Sequence, residues 1–148
     1  MAVAIFSTWT TYGTWLPGDA RGWFERARGC RAADAMRALV ASFRMTGDAV
    51  TLNATQRLRV ESTIAAHCEF RGWAIHAVNC RSNHAHVFVT APDRTCDIPR
   101  VQFKAWCSRK LSEDGPARED WWSECGWDVY LDDDESLAVV VDYVRERQ

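Results

Sequence analysis

The stretch RSNHAHVFVTAP, residues 81–92, holds two histidines, His84 and His86, with only Ala85 between them. In a strand, alternate side chains share a face. Both imidazoles therefore point the same way, about one pleat repeat apart, while Ala85, Val87 and Val89 point to the other side. Two adjacent neutral imidazoles are good ligands for one divalent cation, and oxygen ligands nearby would suit Mg²⁺ or Mn²⁺. The competing reading is a pair of surface or hydrogen-bonded histidines on an open sheet face, because a bare His-x-His is common. Asn83 before the pair and the apolar run after it favour the cation.

A chain of 148 residues fits one domain and is long enough to bury a core. Hydrophobic content of 47% and charged content of 26% are ordinary for a globular protein. The start, MAVAIFSTW, lacks the basic and long apolar regions of a signal peptide. No apolar run approaches bilayer-spanning length, so a soluble, cytoplasmic protein is expected, with no membrane partner. The six cysteines (Cys30, Cys68, Cys80, Cys96, Cys107, Cys125) are scattered without a CxxC pair. They read as free thiols, several of them filling the core, and not as a structural zinc site. The net charge of −2 hides an asymmetry: residues 1–111 sum to +7 and residues 112–148 to −9. The basic body could hold phosphates, and the acidic segment could gather a metal or restrain binding.

The elements that must position the histidines follow from periodicity. Residues 2–10 read as a strand, and Leu16-Pro17-Gly18-Asp19 marks a turn inside a loop. Residues 33–45 read as a short helix. Asn53 with Gln56 forms a capping box for a helix running to about Phe70, with Val60, Ile64 and Cys68 as its apolar stripe and Arg71-Gly72 as its end. Residues 73–79 alternate as a strand, Cys80 to Asn83 connect, and residues 84–91 alternate again, as in a hairpin. Asp97 is expected to cap a helix with Pro99 in its first turn and Phe103, Cys107 and Leu111 facing inward. Residues 112–120 read as a loop and Trp127 to Leu131 as a strand. Asp132-Asp133-Asp134 opens a last helix whose Leu137, Val140, Val141 and Val144 form a packing stripe. The order β, α, α, β, β, α, β, α predicts an α+β fold: a ferredoxin-like antiparallel sheet with helices packed on one face.

NHAHVFV resembles the HUH motif (His, bulky hydrophobic, His) of single-strand DNA endonucleases, with Ala85 smaller than the usual middle residue. The wider series RGWAIHAVNCRSNHAHVFVTAP, FKAWCSRKL and GWDVYLDDDESLAVVVDYVRERQ resembles, in that order, the single-tyrosine HUH transposases. These are the small insertion-sequence and REP-associated tyrosine transposases. TWTTYGTWLPGD is similar to the same group. The resemblance covers nearly the whole chain except about 25–50. It implies a single domain over 1–148 with a loop and helix insertion at about 14–50.

The resemblance implies a nucleophilic tyrosine on the last helix, and Tyr143 in DYVRERQ is the matching position. It falls beside the apolar stripe, so the alternative is a tyrosine that merely flanks the core with a wet hydroxyl. The family's third metal ligand, often Gln one turn after the nucleophile, corresponds to Gln148, here at i+5 because Arg147 holds i+4. Asp142 or an acid of 132–135 could substitute. The implied chemistry is coherent. A cation on His84 and His86 would neutralise the phosphodiester and help a phenol of ordinary pKa about 10 act as phenolate. Attack would give a covalent 5′-phosphotyrosine and a free 3′-hydroxyl, keeping the bond energy for rejoining.

Arg100, Lys104, Arg109 and Lys110 could neutralise DNA phosphates, or form a solvated helix face. Among the eight tryptophans, Trp15, with Tyr12, is a candidate for stacking single-stranded bases, as are Trp9 and Trp23 nearby. Core packing is the competing reading for each. Trp73, Trp106 and Trp127, and the histidines His67 and His76, read as structural. The expected function is a metal-dependent single-stranded DNA transposase acting on hairpin-containing DNA. The alternatives are an inactive hairpin-binding regulator and a histidine-based hydrolase unrelated to DNA. Family members assemble the site within one chain or across a homodimer, and the sequence leaves both open.

Overall fold

Alternation of apolar residues with period two builds the centre of the sheet. Strand β1 (Val3–Thr10) pairs antiparallel with β5 (His84–Ala91) on one side and with β6 (Trp127–Leu131) on the other. Strand β4 (Ala74–Cys80) completes the order β4-β5-β1-β6. The computed structural model describes residues 3–25, 28–91, 97–124, 126–131, 138, 139, 141–143 and 145. Helices α2 (Ala54–Arg71) and α3 (Asp97–Asp114) connect β1 to β4 and β5 to β6. This βαββαβ path through a wholly antiparallel sheet is the expected ferredoxin-like arrangement.

The two long helices bury matching stripes. Val60, Ile64 and Cys68 of α2 recur every fourth residue, as do Phe103, Cys107 and Leu111 of α3. Both stripes close over Ala85, Val87 and Val89 of β5 and over Trp9, all buried. Each such large apolar side chain contributes about 1.5–3 kcal/mol by leaving water. The capping box at α2 is formed: Gln56 N–H donates to the Asn53 side chain at 2.8 Å, and Asn53 N–H donates to the Gln56 side chain at 2.9 Å. Gly72 ends the helix with φ +70°, a left-handed conformation that glycine takes without a Cβ clash.

Helices α2 and α3 occupy one face, as expected, but the last helical segment does not join them. Residues 138, 139, 141–143 and 145 are helical, and Val141 packs with Phe6, Leu131, Ala4, Ala77 and Phe88 on the opposite face. Leu137, Val140 and Val144 of the expected stripe, and the acids 132–135, lie outside the described residues.

Three local expectations are corrected. The insertion contains a small hairpin, β2 (Trp23–Glu25) with β3 (Gly29–Arg31), where a loop was expected. Three-residue strands are too short to show a period. Helix α1 (Ala35–Phe43) is shorter than 33–45, because the Asp34 side chain accepts from Arg37 N–H and caps it. Helix α3 begins at Asp97 itself and runs through Asp114, three residues into the expected loop. Gly115-Pro116 is its natural stop, since a residue before proline avoids the helical region.

Arg100 ties α3 to the edge strand. Its Nε donates to Asp128 Oδ2 at 2.9 Å, and Ser7 Oγ donates to Asp128 Oδ1 at 2.7 Å. The Arg100 and Asp128 side chains are only 14% and 6% exposed. Arg100→Met would leave a buried carboxylate without its cation. The expected loss is about 3 kcal/mol of unfolding free energy, read from the urea midpoint. A midpoint unchanged within error would mean that the pair is not a structural tie.

Candidate active site

Strand register assembles a polar floor on the face away from α2 and α3. Thr10 lies opposite His84, Thr8 opposite His86 and Phe6 opposite Phe88, while Asn79 flanks His86 from β4 and Trp127 flanks Thr8 from β6. Residues directly opposite in an antiparallel pair share a face. The histidines therefore share a face with Phe6, Thr8, Thr10, Asn79 and Trp127.

The two imidazoles lie 4.7 Å apart between ring centroids, at 73°. His84 Nδ1 is 2.7 Å from Asn83 Oδ1. An amide oxygen only accepts, so Nδ1 carries the proton and Nε2 keeps its lone pair. His86 is 9% exposed, stacks on Phe6 at 5.6 Å, and has a buried Nδ1 without a hydrogen-bond partner. Burial holds His84 below the ordinary imidazole range, and the Arg81 charge adds to this. His86 is pushed down to about 4, by burial first, then by His84 and Arg81. Both rings are thus neutral near pH 7.

Tyr143 arrives from the C-terminal helical segment. Its ring lies 5.8 Å from that of His86 and 6.2 Å from that of Phe6, edge-on to both, and the residue is 45% exposed. The Val141 contact with the small cluster of Ala4, Ala77 and Phe88 holds this segment on the sheet. The chain therefore brings an exposed phenol beside a pair of neutral imidazoles, one buried and one half-buried, from positions far apart in sequence.

The donor set suits a divalent cation as far as it is described. On the tautomer set by Asn83, His84 Nε2 offers a lone pair, and the buried Nδ1 of His86 has no hydrogen-bond partner. Among the described residues, no group of three or more His, Cys, Asp or Glu side chains could hold a metal ion. Gln148, the expected third ligand, lies outside the described residues. Asp142 is described and is exposed.

The other sequence candidates are dispersed. Arg100 is the structural tie described above. Lys104 Nζ donates to the Ser123 carbonyl at 2.7 Å, Lys110 pairs with Glu113 at 3.3 Å, and Arg109 lies over the Trp106 ring at 4.7 Å. All four belong to α3, the layer opposite the histidines. Trp15 is 43% exposed beneath Arg21, and its indole donates to the Gly22 carbonyl. The Tyr12 hydroxyl accepts from Thr46 N–H at 2.7 Å. Trp9, Trp23 and Trp73 are buried. Trp106 and Trp127, read as structural, are 38% and 48% exposed. His67 bonds Gln102 amid aromatic rings, and His76 bonds Thr90, as structural histidines do. Three neighbours of the site escaped sequence reasoning. Strand β4 extends through Cys80, whose burial against the helices puts Asn79 and Arg81 on the histidine face. Trp127 comes there by pairing with Thr8.

Fold and site together define an α+β domain with a histidine pair and a tyrosine on one sheet face. This chain is similar in structure to a REP-associated tyrosine transposase solved bound to a REP hairpin, with a TM-score of 0.58 and 14% identity. The similarity covers 96% of this chain, which spans 64% of that one. It is also similar to a candidate transposase from Deinococcus radiodurans R1, with a TM-score of 0.50, 11% identity and coverage of 100% of this chain and 92% of that one. At these identities the likeness establishes a shared fold. No protein-family profile and no curated protein matches the sequence. Among the described residues no helix is long and apolar enough to cross a membrane.

Two predictions follow from the histidine environment. Asn83→Leu removes the acceptor that sets the His84 tautomer, and Mn²⁺ affinity by calorimetry should fall about 10–100-fold. Unchanged affinity would mean that His84 does not bind through Nε2. In chelator, burial of neutral His86 favours folding above the ordinary histidine pKa of 6.5, and that stability drains as pH falls towards about 4. Wild type should lose up to about 3 kcal/mol more than His86→Gln over this window. Parallel pH profiles of Tm for the two proteins would contradict it.

Proposed function

We propose that this protein cleaves and rejoins single-stranded DNA through a covalent bond to Tyr143, at a divalent cation held by His84 and His86. The observation that carries the reading is the Tyr143 ring 5.8 Å from His86, on the face where the paired neutral imidazoles converge. A bound Mg²⁺ or Mn²⁺ would offset phosphate charge and polarise the phosphorus centre. His84 and His86 act as its nitrogen ligands, and Asn83 fixes the ring of His84. Gln148 is the proposed third ligand.

In the proposed reaction Tyr143 Oη forms a bond to phosphorus, and the bond to the 3′ oxygen breaks. The phenolic proton passes to water, and the departing 3′ oxygen takes a proton from water. The product is a 5′-phosphotyrosine, which a 3′-hydroxyl reverses to rejoin the strand. Little covalent work is left to other residues, so positioning dominates. A REP hairpin bound to the first structural neighbour supports hairpin-containing DNA as the substrate class.

The test is a gel assay with labelled hairpin-bearing single strands and Mn²⁺. A protein–DNA band that survives denaturation is expected from the wild type. It should vanish for Tyr143→Phe, and for His84→Ala it should fall by more than the roughly 10–100-fold that losing an outer-shell partner costs. DNA binding with no band across a broad pool would contradict cleavage and leave a hairpin-binding regulator.

A further inference from the structure

Two rows of side chains cross the sheet at the histidines. One runs Asn79, His86, Thr8, Trp127. The other runs Arg81, His84, Thr10, Ser123: Arg81 N–H donates to the His84 carbonyl at 2.8 Å, and the Thr10 and Ser123 hydroxyls meet at 2.7 Å. Neighbouring strands lie about 4.8 Å apart, so Trp127 stands roughly 10 Å from His86 and Arg81 is the immediate neighbour of His84 on the other flank. The floor thus has a cation at one end and an aromatic ring at the other.

Trp127 is 48% exposed on the edge strand β6. Between the two ends the side chains of this face carry amide, imidazole and hydroxyl groups, which suits a backbone of sugars and phosphates. A guanidinium recognises a phosphate, and an indole recognises the π-face of any unpaired base. A duplex keeps its base faces stacked inside, so this pairing of groups suits a single strand.

We infer that single-stranded DNA crosses this face perpendicular to the β-strands, with Arg81 on a phosphate beside the cleaved one and Trp127 under an unpaired base on the far side of the histidines. This deepens the function proposed above and rests on it for the position of the cleaved phosphate. The direction of the track comes from strand register alone.

The two ends predict different signatures. Affinity for a labelled single-stranded oligonucleotide would be measured across a salt series with the full chain carrying Tyr143→Phe, so that nothing is cleaved. Added Trp127→Ala should weaken binding about tenfold at every salt concentration, leaving the salt slope unchanged, and Trp127→Phe should recover most of the loss. Added Arg81→Gln should weaken binding most at low salt and reduce the slope of log K against log salt by about one. Thermal melts confirm that each variant is folded, and Trp127→Leu, apolar but without a π-face, replaces the alanine variant if that one is not. Affinity unchanged within twofold for either Arg81→Gln or the folded non-aromatic Trp127 variant would overturn the track. The covalent-band assay is read separately on protein with Tyr143 intact. A Tyr143 adduct with no effect of Arg81 or Trp127 defeats the track alone. Both binding signatures without any adduct leave the track standing and defeat the cleavage reading.

Discussion

The register between β1 and β5 is the constraint on which the site depends. Thr8 faces His86, and Ser7 faces Val87. Slipping this pairing by one residue would turn the histidines into the helix layer and put Ala85, Val87 and Val89 in their place. That slip would bury two imidazoles among α2 and α3 and expose the largest apolar surface of the domain. The energy of burying Val87, Val89, Trp9 and Phe103 therefore also orients His84 and His86. Core packing and site geometry are two readings of one alternation.

That alternation creates an electrostatic tension. His86 is nearly buried, with His84 beside it and the Arg81 charge bearing on both. Each of these influences disfavours a proton on the ring. The same neutrality that makes the pair poor bases leaves nitrogen lone pairs for a cation. Phe6 contributes from both sides, stacking on His86 and meeting Tyr143 edge-on, so one aromatic side chain of β1 links the imidazole to the phenol. Asn83 adds direction, because its acceptor oxygen decides which nitrogen of His84 is free.

Much of this was legible in the residues, for identifiable reasons. The face shared by His84 and His86 follows from period two. The stripes of α2 and α3 follow from spacing of four, and the Asn53 capping box is a short-range signal that needs no tertiary context. Tyr143 depended on resemblance, because nothing in DYVRERQ distinguishes a nucleophile from a tyrosine at the core's edge. The three-residue strands of the β2–β3 hairpin have no period to detect. The side of the sheet taken by the last helix was not readable either, since an apolar stripe says that a helix packs but not on which face. Arg100 and Lys104 looked like phosphate ligands by spacing along α3. Their structural partners, Asp128 and the Ser123 carbonyl, come from a segment that folds beside them only in three dimensions. Trp127 and Arg81 reach the histidine face through strand extension and pairing, neither of which local sequence specifies.

The central claim is that the phenol over the histidine pair is the group that takes the DNA. The chain has three tyrosines, Tyr12, Tyr130 and Tyr143. The most direct measurement is mass spectrometry of the protease- and nuclease-digested covalent complex formed with Mn²⁺. The account predicts a nucleotide mass on the peptide containing Tyr143 and unmodified peptides for Tyr12 and Tyr130. Attachment at either of those two residues, or at a side chain other than tyrosine, would contradict it.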